Sequence, residues 1–324
     1  MDATDDTRRI LGADAAPPPK PSRLPHVLRF PIVIILSLGW SAVGYSLISQ
    51  WTTSDDVAAF GRVMSQGEMM LLLAWRVSEL CIGWYGNYDG YDLAALSTLA
   101  YGPTLFLFSA FYNVQPWTLA ASLAVDIFSS VAPFALLRPL SPAHAAAPTV
   151  PNRELLQDGP IRTFTTLFAT AIYAVVPALS YNAWLRRSLL LNFVGIPSIE
   201  PSTSLGANVF AGALLLLFGY SARVFVFDAA AATGTTPEDA VVEAFDPVSA
   251  TLGETLWQNA WGFRTQTKVA IRQTLVIVLV SFIRTTSQCA LTVQGVEAGG
   301  AAAYALVWAA ASIVAGIAMG LVID

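Results

Sequence analysis

The chain has 324 residues, of which 55% are hydrophobic and 12% charged, with a mean hydropathy of +0.58. Soluble domains carry roughly 25% charged residues, so this chain lacks the polar surface to face water on all sides, and membrane immersion follows. The net charge of −5, with basic residues thinly spread, excludes nucleic acid as an expected partner.

Residues 1–29 are polar, with prolines at 17, 18, 19 and 21, and read as a disordered cytosolic tail. Asp2, Asp5, Asp6 and Asp14 fit neither a cleaved signal peptide nor a transit peptide. The remainder, 30–324, reads as a single membrane domain. A span needs about 20 mostly apolar residues. Such runs occur near 31–50, 93–113, 117–137, 163–184, 205–227, 270–290 and 300–323. An eighth segment, 69–86, carries Arg76 and Glu79 in its middle, and an isolated arginine there costs about 2.5–3.5 kcal/mol on the insertion scale.

Charge asymmetry argues that this segment also crosses. With eight spans and a cytosolic N-terminus, 12 basic residues fall on the cytosolic side and 3 on the other. Omitting the segment gives 7 against 9. The positive-inside rule therefore favours eight spans with both termini cytosolic. Trp51, Trp84, Trp117, Trp184, Trp257 and Trp261 stand near predicted span ends, as an aromatic belt requires. The two longer loops are 138–162, rich in Pro and Ala, and 228–269, acidic at first and then apolar. In the second, Leu252, Leu256, Trp257, Trp261 and Phe263 predict an interfacial helix over 252–263. The expected fold is an all-α bundle of eight transmembrane helices plus this interfacial one.

Ionisable residues at membrane depth are the first candidates for function. Arg76 and Glu79, three apart, share a helix face and can pair. Asp126 stands alone in its span, with Ser129 and Ser130 one turn on, and Arg76 and Arg284 are its available partners. Static packing and a proton or cation relay both remain open for this set. The polar-aromatic segment 84–92 contains Asp89 and Asp92. Two carboxylates are few for a cation site, and a tight interfacial turn with Asp92 capping the next helix is the simpler reading.

Enzyme signatures fail one by one. Residues 138–144 superficially resemble motifs of lipid-phosphate phosphatases, but that family needs a further histidine and the chain has only His26 and His144. The Gly-x-Gly-Asp motif of intramembrane aspartyl proteases is absent, as are histidine boxes and phosphate-cradling glycine loops. Cys81 and Cys289 build neither a disulfide framework nor a metal site. No cofactor or metal is expected.

Three stretches, GWYGNYDGYDLAAL (83–96), TLGETLWQNAWGFRTQTKVAIRQT (251–274) and GVEAGGAAAYALVWAAASIVAGIAMGLV (295–322), carry a resemblance. Through them the chain resembles an uncharacterised family of multi-pass membrane proteins of filamentous ascomycete fungi, over most of 28–324. The resemblance implies no activity and transfers no site residue. Three functional readings follow from the residues. The leading one is a non-enzymatic membrane component whose partners are membrane lipids and other membrane proteins. A small-solute or proton-coupled transporter using Arg76, Glu79 and Asp126 is the second, and a lipid-modifying enzyme the third. A transporter should open a water-filled cavity to Asp126; a scaffold should hold its charges paired and dry.

Overall fold

A computed structural model describes residues 25–51, 61–145, 150–246 and 250–323. Most of the expected tail, and both chain termini, lie outside these residues. Helix is the regular secondary structure throughout the described residues, and no strand forms among them. The fold is an all-α bundle.

The first helix, α1, runs His26–Trp51 and so takes in residues 26–29, which the sequence reading gives to the tail. Its Pro31 sits in the second turn and leaves the Val27 carbonyl without its i→i−4 donor, a departure membrane helices tolerate. Next, α2 (Gln66–Tyr85) opens on a capping box in which the Ser65 hydroxyl accepts from Glu68 N and the Glu68 carboxylate accepts from Ser65 N. Then come α3 (Gly90–Phe111) and α4 (Pro116–Leu137). The loop after α4 holds the short α5 (Arg153–Gln157). Helix α6 (Gly159–Ser180) continues through a π-turn at Tyr181–Leu185 into α7 (Arg186–Asn192). Likewise α8 (Leu205–Ala222) passes through a π-turn at Arg223–Asp228 into α9 (Ala229–Thr233).

Two short amphipathic pieces follow, α10 (Pro237–Glu243) and α11 (Leu252–Trp261). The chain closes with the long pair α12 (Thr265–Thr292) and α13 (Ala298–Ile323). Asp239 joins α10 to α12, accepting from the backbone N–H groups of Thr236 and Thr265 at 2.7 Å each.

Among the described residues, seven helices are long and apolar enough to cross a membrane: α1, α3, α4, α6 with α7, α8 with α9, α12 and α13. At 20 residues α2 matches them in length but not in composition, because Glu68, Arg76 and Glu79 interrupt its apolar run. The helix expected over 252–263 ends at Trp261, so Phe263 lies just past it rather than in it.

Helix α3 is the hub. It packs against α4, α8 and α12, and most of its residues are buried. Around it, α12 lies along α13, α6 along α8 and α13, and α1 along α4. Close approach depends on small residues. A Cβ on Gly219 would meet Thr170 N of α6 at 2.7 Å, and one on Gly102 would overlap the Phe218 ring of α8. By contrast α2 sits at the margin, touching α1 and α12 lightly and burying only Glu79, Leu80 and Gly83.

Candidate functional site

The four ionisable residues predicted at membrane depth meet in one place. Arg76 and Glu79 come from α2, Asp126 from α4 and Arg284 from α12. Arg76 Nη1 lies 3.3 Å from Glu79 Oε2 and 3.5 Å from Asp126 Oδ1. Arg284 Nη1 reaches the same Glu79 oxygen at 3.2 Å, and its Nη2 reaches Asp126 Oδ1 at 2.5 Å. Each arginine thus touches both carboxylates, and the two positive and two negative charges cancel.

The hydrogen bonds left over are largely taken up locally. Trp75 Nε1 donates to Glu79 Oε1 at 2.8 Å. Arg76 Nη2 donates to the hydroxyls of Ser129 and Ser130 at 2.9 and 2.8 Å, and both hydroxyls donate onward to the Asp126 carbonyl. Arg284 lies over the Tyr101 ring, 4.9 Å from its centroid, a cation–π contact that suits a desolvated guanidinium. A cavity of 10 Å³ adjoins Arg76, Glu79 and Arg284, room for about one water molecule. Asp126 does not line it. A larger cavity of 220 Å³ lies elsewhere, between α6, α8 and α13, and its walls are aromatic and aliphatic.

Arg138, at the C-cap of α4, is a second tie to α2. Its Nη1 donates to the carbonyls of Gly83 and Trp84 at 3.2 and 2.8 Å, its Nη2 donates to Asn87, and it stacks 5.1 Å from the Trp84 ring. These carbonyls belong to the last turn of α2, where a cation is favoured, and that of Gly83 also accepts from Tyr88 N at 3.0 Å. Sequence reading used Arg138 as a topology charge and as the start of the phosphatase-like stretch 138–144, not as a tie to α2.

Asp89 and Asp92 form a capping site, with the roles assigned differently from the expectation. Asp89 is the N-cap of α3, accepting from Tyr91 N at 2.9 Å and Asp92 N at 3.0 Å, while Asp92 accepts from Asp89 N at 3.1 Å. The other Asp89 oxygen accepts from Ser141 N at 2.9 Å and pairs with His144 Nδ1 at 2.8 Å. The loop after α4 is thereby latched to the start of α3. Burial works against the Asp89 charge, but the His144 hydrogen bond and the backbone donors of Asp92 and Ser141 outweigh it and hold its carboxyl well below the usual range. Burial also works against a charged His144, yet Asp89 and, further off, Asp92 raise its pKa above the ordinary value.

Asp89, Asp92 and His144 lie close enough to hold a metal ion. The donor set argues otherwise: both Asp89 oxygens are already committed, two of their donors being backbone N–H groups of the cap itself.

The π-turn at Arg223–Asp228 holds a third buried pair that the sequence reading missed. Arg223 Nη1 donates to both Asp228 oxygens at 3.1 and 2.9 Å. Read from spacing alone, Asp228 is the first acid of a loop.

No family model, curated protein or solved structure matches the chain, so the reading of these sites rests on their geometry.

Proposed function

We propose that this chain is a non-enzymatic, multi-pass membrane component in which the Arg76–Glu79–Asp126–Arg284 cluster fastens a charged helix into an apolar bundle. The observation that carries this reading is closure. The four charges neutralise one another, each arginine bridging both carboxylates, and the adjoining space holds about one water. Conduction needs a wet path and groups free to change partners, whereas fastening needs neither. Since α2 buries so little of its own apolar surface, the cluster and Arg138 supply much of its attachment.

In this reading α2 is the eighth crossing, both termini face the cytosol, and the partners are lipids and other membrane proteins. The likeness to fungal multi-pass proteins agrees with such a role and adds no activity to it. A second reading, proton or cation passage, has one observation in its favour: Asp126 Oδ2 is buried and accepts no hydrogen bond from the described residues.

The deciding experiment compares Arg76→Leu, Glu79→Leu and the double variant for folded yield and for proton flux in proteoliposomes. Fastening predicts poor yield for each single change, recovery in the double, and no flux in any. The double change leaves Arg284 and Asp126 as a balanced pair. Flux in the parent protein that disappears in a well-folded double variant would replace this reading with transport. Termini labelled from opposite sides of the membrane would remove the eight-crossing topology.

A further inference from the structure

A groove of 360 Å³ lies where α6 begins and α8 ends, lined by Arg162, Thr163, Thr166, Leu167, Tyr220 and Arg223. Its polar end holds donors with no described acceptor. Arg223 is 3% exposed yet spends only Nη1 on Asp228; its Nε is buried without a partner. Arg162 is exposed and has no carboxylate within ion-pair distance among the described residues. The Thr166 hydroxyl donates to none of them, whereas the Thr163 hydroxyl is committed to the Gly159 carbonyl at 2.9 Å.

Charge decides what kind of ligand fits. Two arginines, Arg162 and Arg223, line the groove; Asp228 pairs directly with Arg223 and only feels Arg162 at longer range, so the Arg162 guanidinium keeps its donors for a ligand. The N-terminus of the 22-residue α6 adds the positive end of its dipole. Asp158 already caps Ile161 N at 3.1 Å, so recognition falls on the side chains rather than on that amide. The opposite end of the groove is apolar and outward-facing, with Leu167 54% and Tyr220 45% exposed and Phe164 beside them. A basic, donor-rich end joined to an apolar flank matches an amphipathic anion.

We infer that this groove holds the phosphate of an anionic membrane phospholipid, with the acyl chains lying along Leu167 and Tyr220. The inference rests on the membrane reading above. Arg162 and the Thr166 hydroxyl meet the phosphate oxygens, and Arg223, fixed by Asp228 and stacked 5.0 Å from the Tyr220 ring, forms the floor.

The test uses the full chain, extracted from membranes and purified in detergent. It is titrated separately with phosphatidylglycerol, phosphatidylcholine and inorganic phosphate under native mass spectrometry. One retained phosphatidylglycerol per chain is expected, weakened about fivefold by Arg162→Gln and unchanged by Arg187→Gln on the exposed surface of α7. Equal weakening by both variants would show diffuse attraction and overturn the site. So would phosphatidylcholine bound as tightly, or inorganic phosphate bound where the lipid is not. Carbonate extraction of the same membranes separates the two readings: release of the chain defeats the membrane reading, and retention without bound lipid defeats only this inference.

Discussion

Arg284 and Glu79 stand 205 residues apart in sequence and 3.2 Å apart in space. That contact joins α12 to α2 across the edge of the bundle, where few backbone contacts hold the two together. Arg284 also carries the shortest link of the cluster, to Asp126. Replacing it with leucine strands two buried carboxylates beside Arg76 alone. Arg284→Leu is therefore expected to cost about 3–5 kcal/mol, the range for breaking one side of a buried pair. Arg284→Leu with Asp126→Leu restores the balance and should recover most of it. Thermal unfolding in detergent distinguishes the cases; additive losses, with the double variant worse than either single, would show that the two residues act independently.

A second expectation concerns close packing. Gly219 lets α8 approach the Thr166–Thr170 turn of α6, and an added methyl would meet backbone there. Gly219→Ala should destabilise by about 1–3 kcal/mol, the usual cost of overpacking. Gly212, on the same helix with open space around it, serves as the control, and Gly212→Ala should be neutral. The reverse order in a thermal melt would refute this account of the interface.

The latch between Asp89 and His144 makes its own pH dependence. Asp89 has a depressed pKa, so its contribution is present above the ordinary value of 3.8 and is lost as the pH falls through the lower, folded one. For His144 the folded pKa is raised, so its contribution is full below the ordinary 6.5 and fades as the pH rises through the folded value. Protection of the Ser141 amide, which donates to Asp89, should therefore peak between these limits in hydrogen exchange. Above the window it weakens rather than vanishes, because neutral imidazole can still donate from Nδ1. Asp89→Asn should flatten the profile; an unchanged profile would mean that another group sets it.

On α11 the apolar side chains Leu252, Leu256, Trp257 and Trp261 occupy one half of the helix, and Glu254, Thr255, Gln258 and Asn259 the other. None is buried in the bundle, with Trp257 69% exposed. An exposed apolar face of this kind belongs at headgroup depth. Headgroup-located quenchers should dim Trp257 and Trp261 in vesicles. Quenching by water-borne agents alone would place the segment in solvent.

What could be read from sequence divides along a physical line. Long apolar runs locate helices because hydrocarbon tolerates nothing else, so α3, α4, α12 and α13 fall within a few residues of their expected positions. Arg76, Glu79, Asp126 and Arg284 are individually conspicuous for the same reason, being costly where they sit. Their closure into one neutral group needs three helices in register, which no local pattern encodes. The two π-turns left no trace at all. In an α-helix, residues five apart point about 140° away from each other, which hides Arg223 from Asp228. The wider π-turn brings i and i+5 together, and the pair appears. Asp89 and Asp92 show a similar shift: the sequence reading makes Asp92 the cap, whereas in the structure Asp89 is the N-cap and also receives His144 and Ser141, which return to it from a distant loop.

The order in which these charges leave the ribosome bears on how the protein is made. Glu79 and Arg76 emerge together, three residues apart, and can enter the bilayer as a neutral pair. Asp126 follows with α4 and tips the balance, since one arginine then serves two acids. That deficit of one positive charge persists through the synthesis of more than a hundred further residues, until α12 delivers Arg284. A nascent chain at this stage must keep α2 or α4 near water, within the insertion machinery, or protonate an acid. Any truncation before α12 freezes the deficit permanently. Such fragments carry an exposed polar flaw in the membrane, the kind of mark by which a cell's quality control can tell an unfinished chain from a complete one.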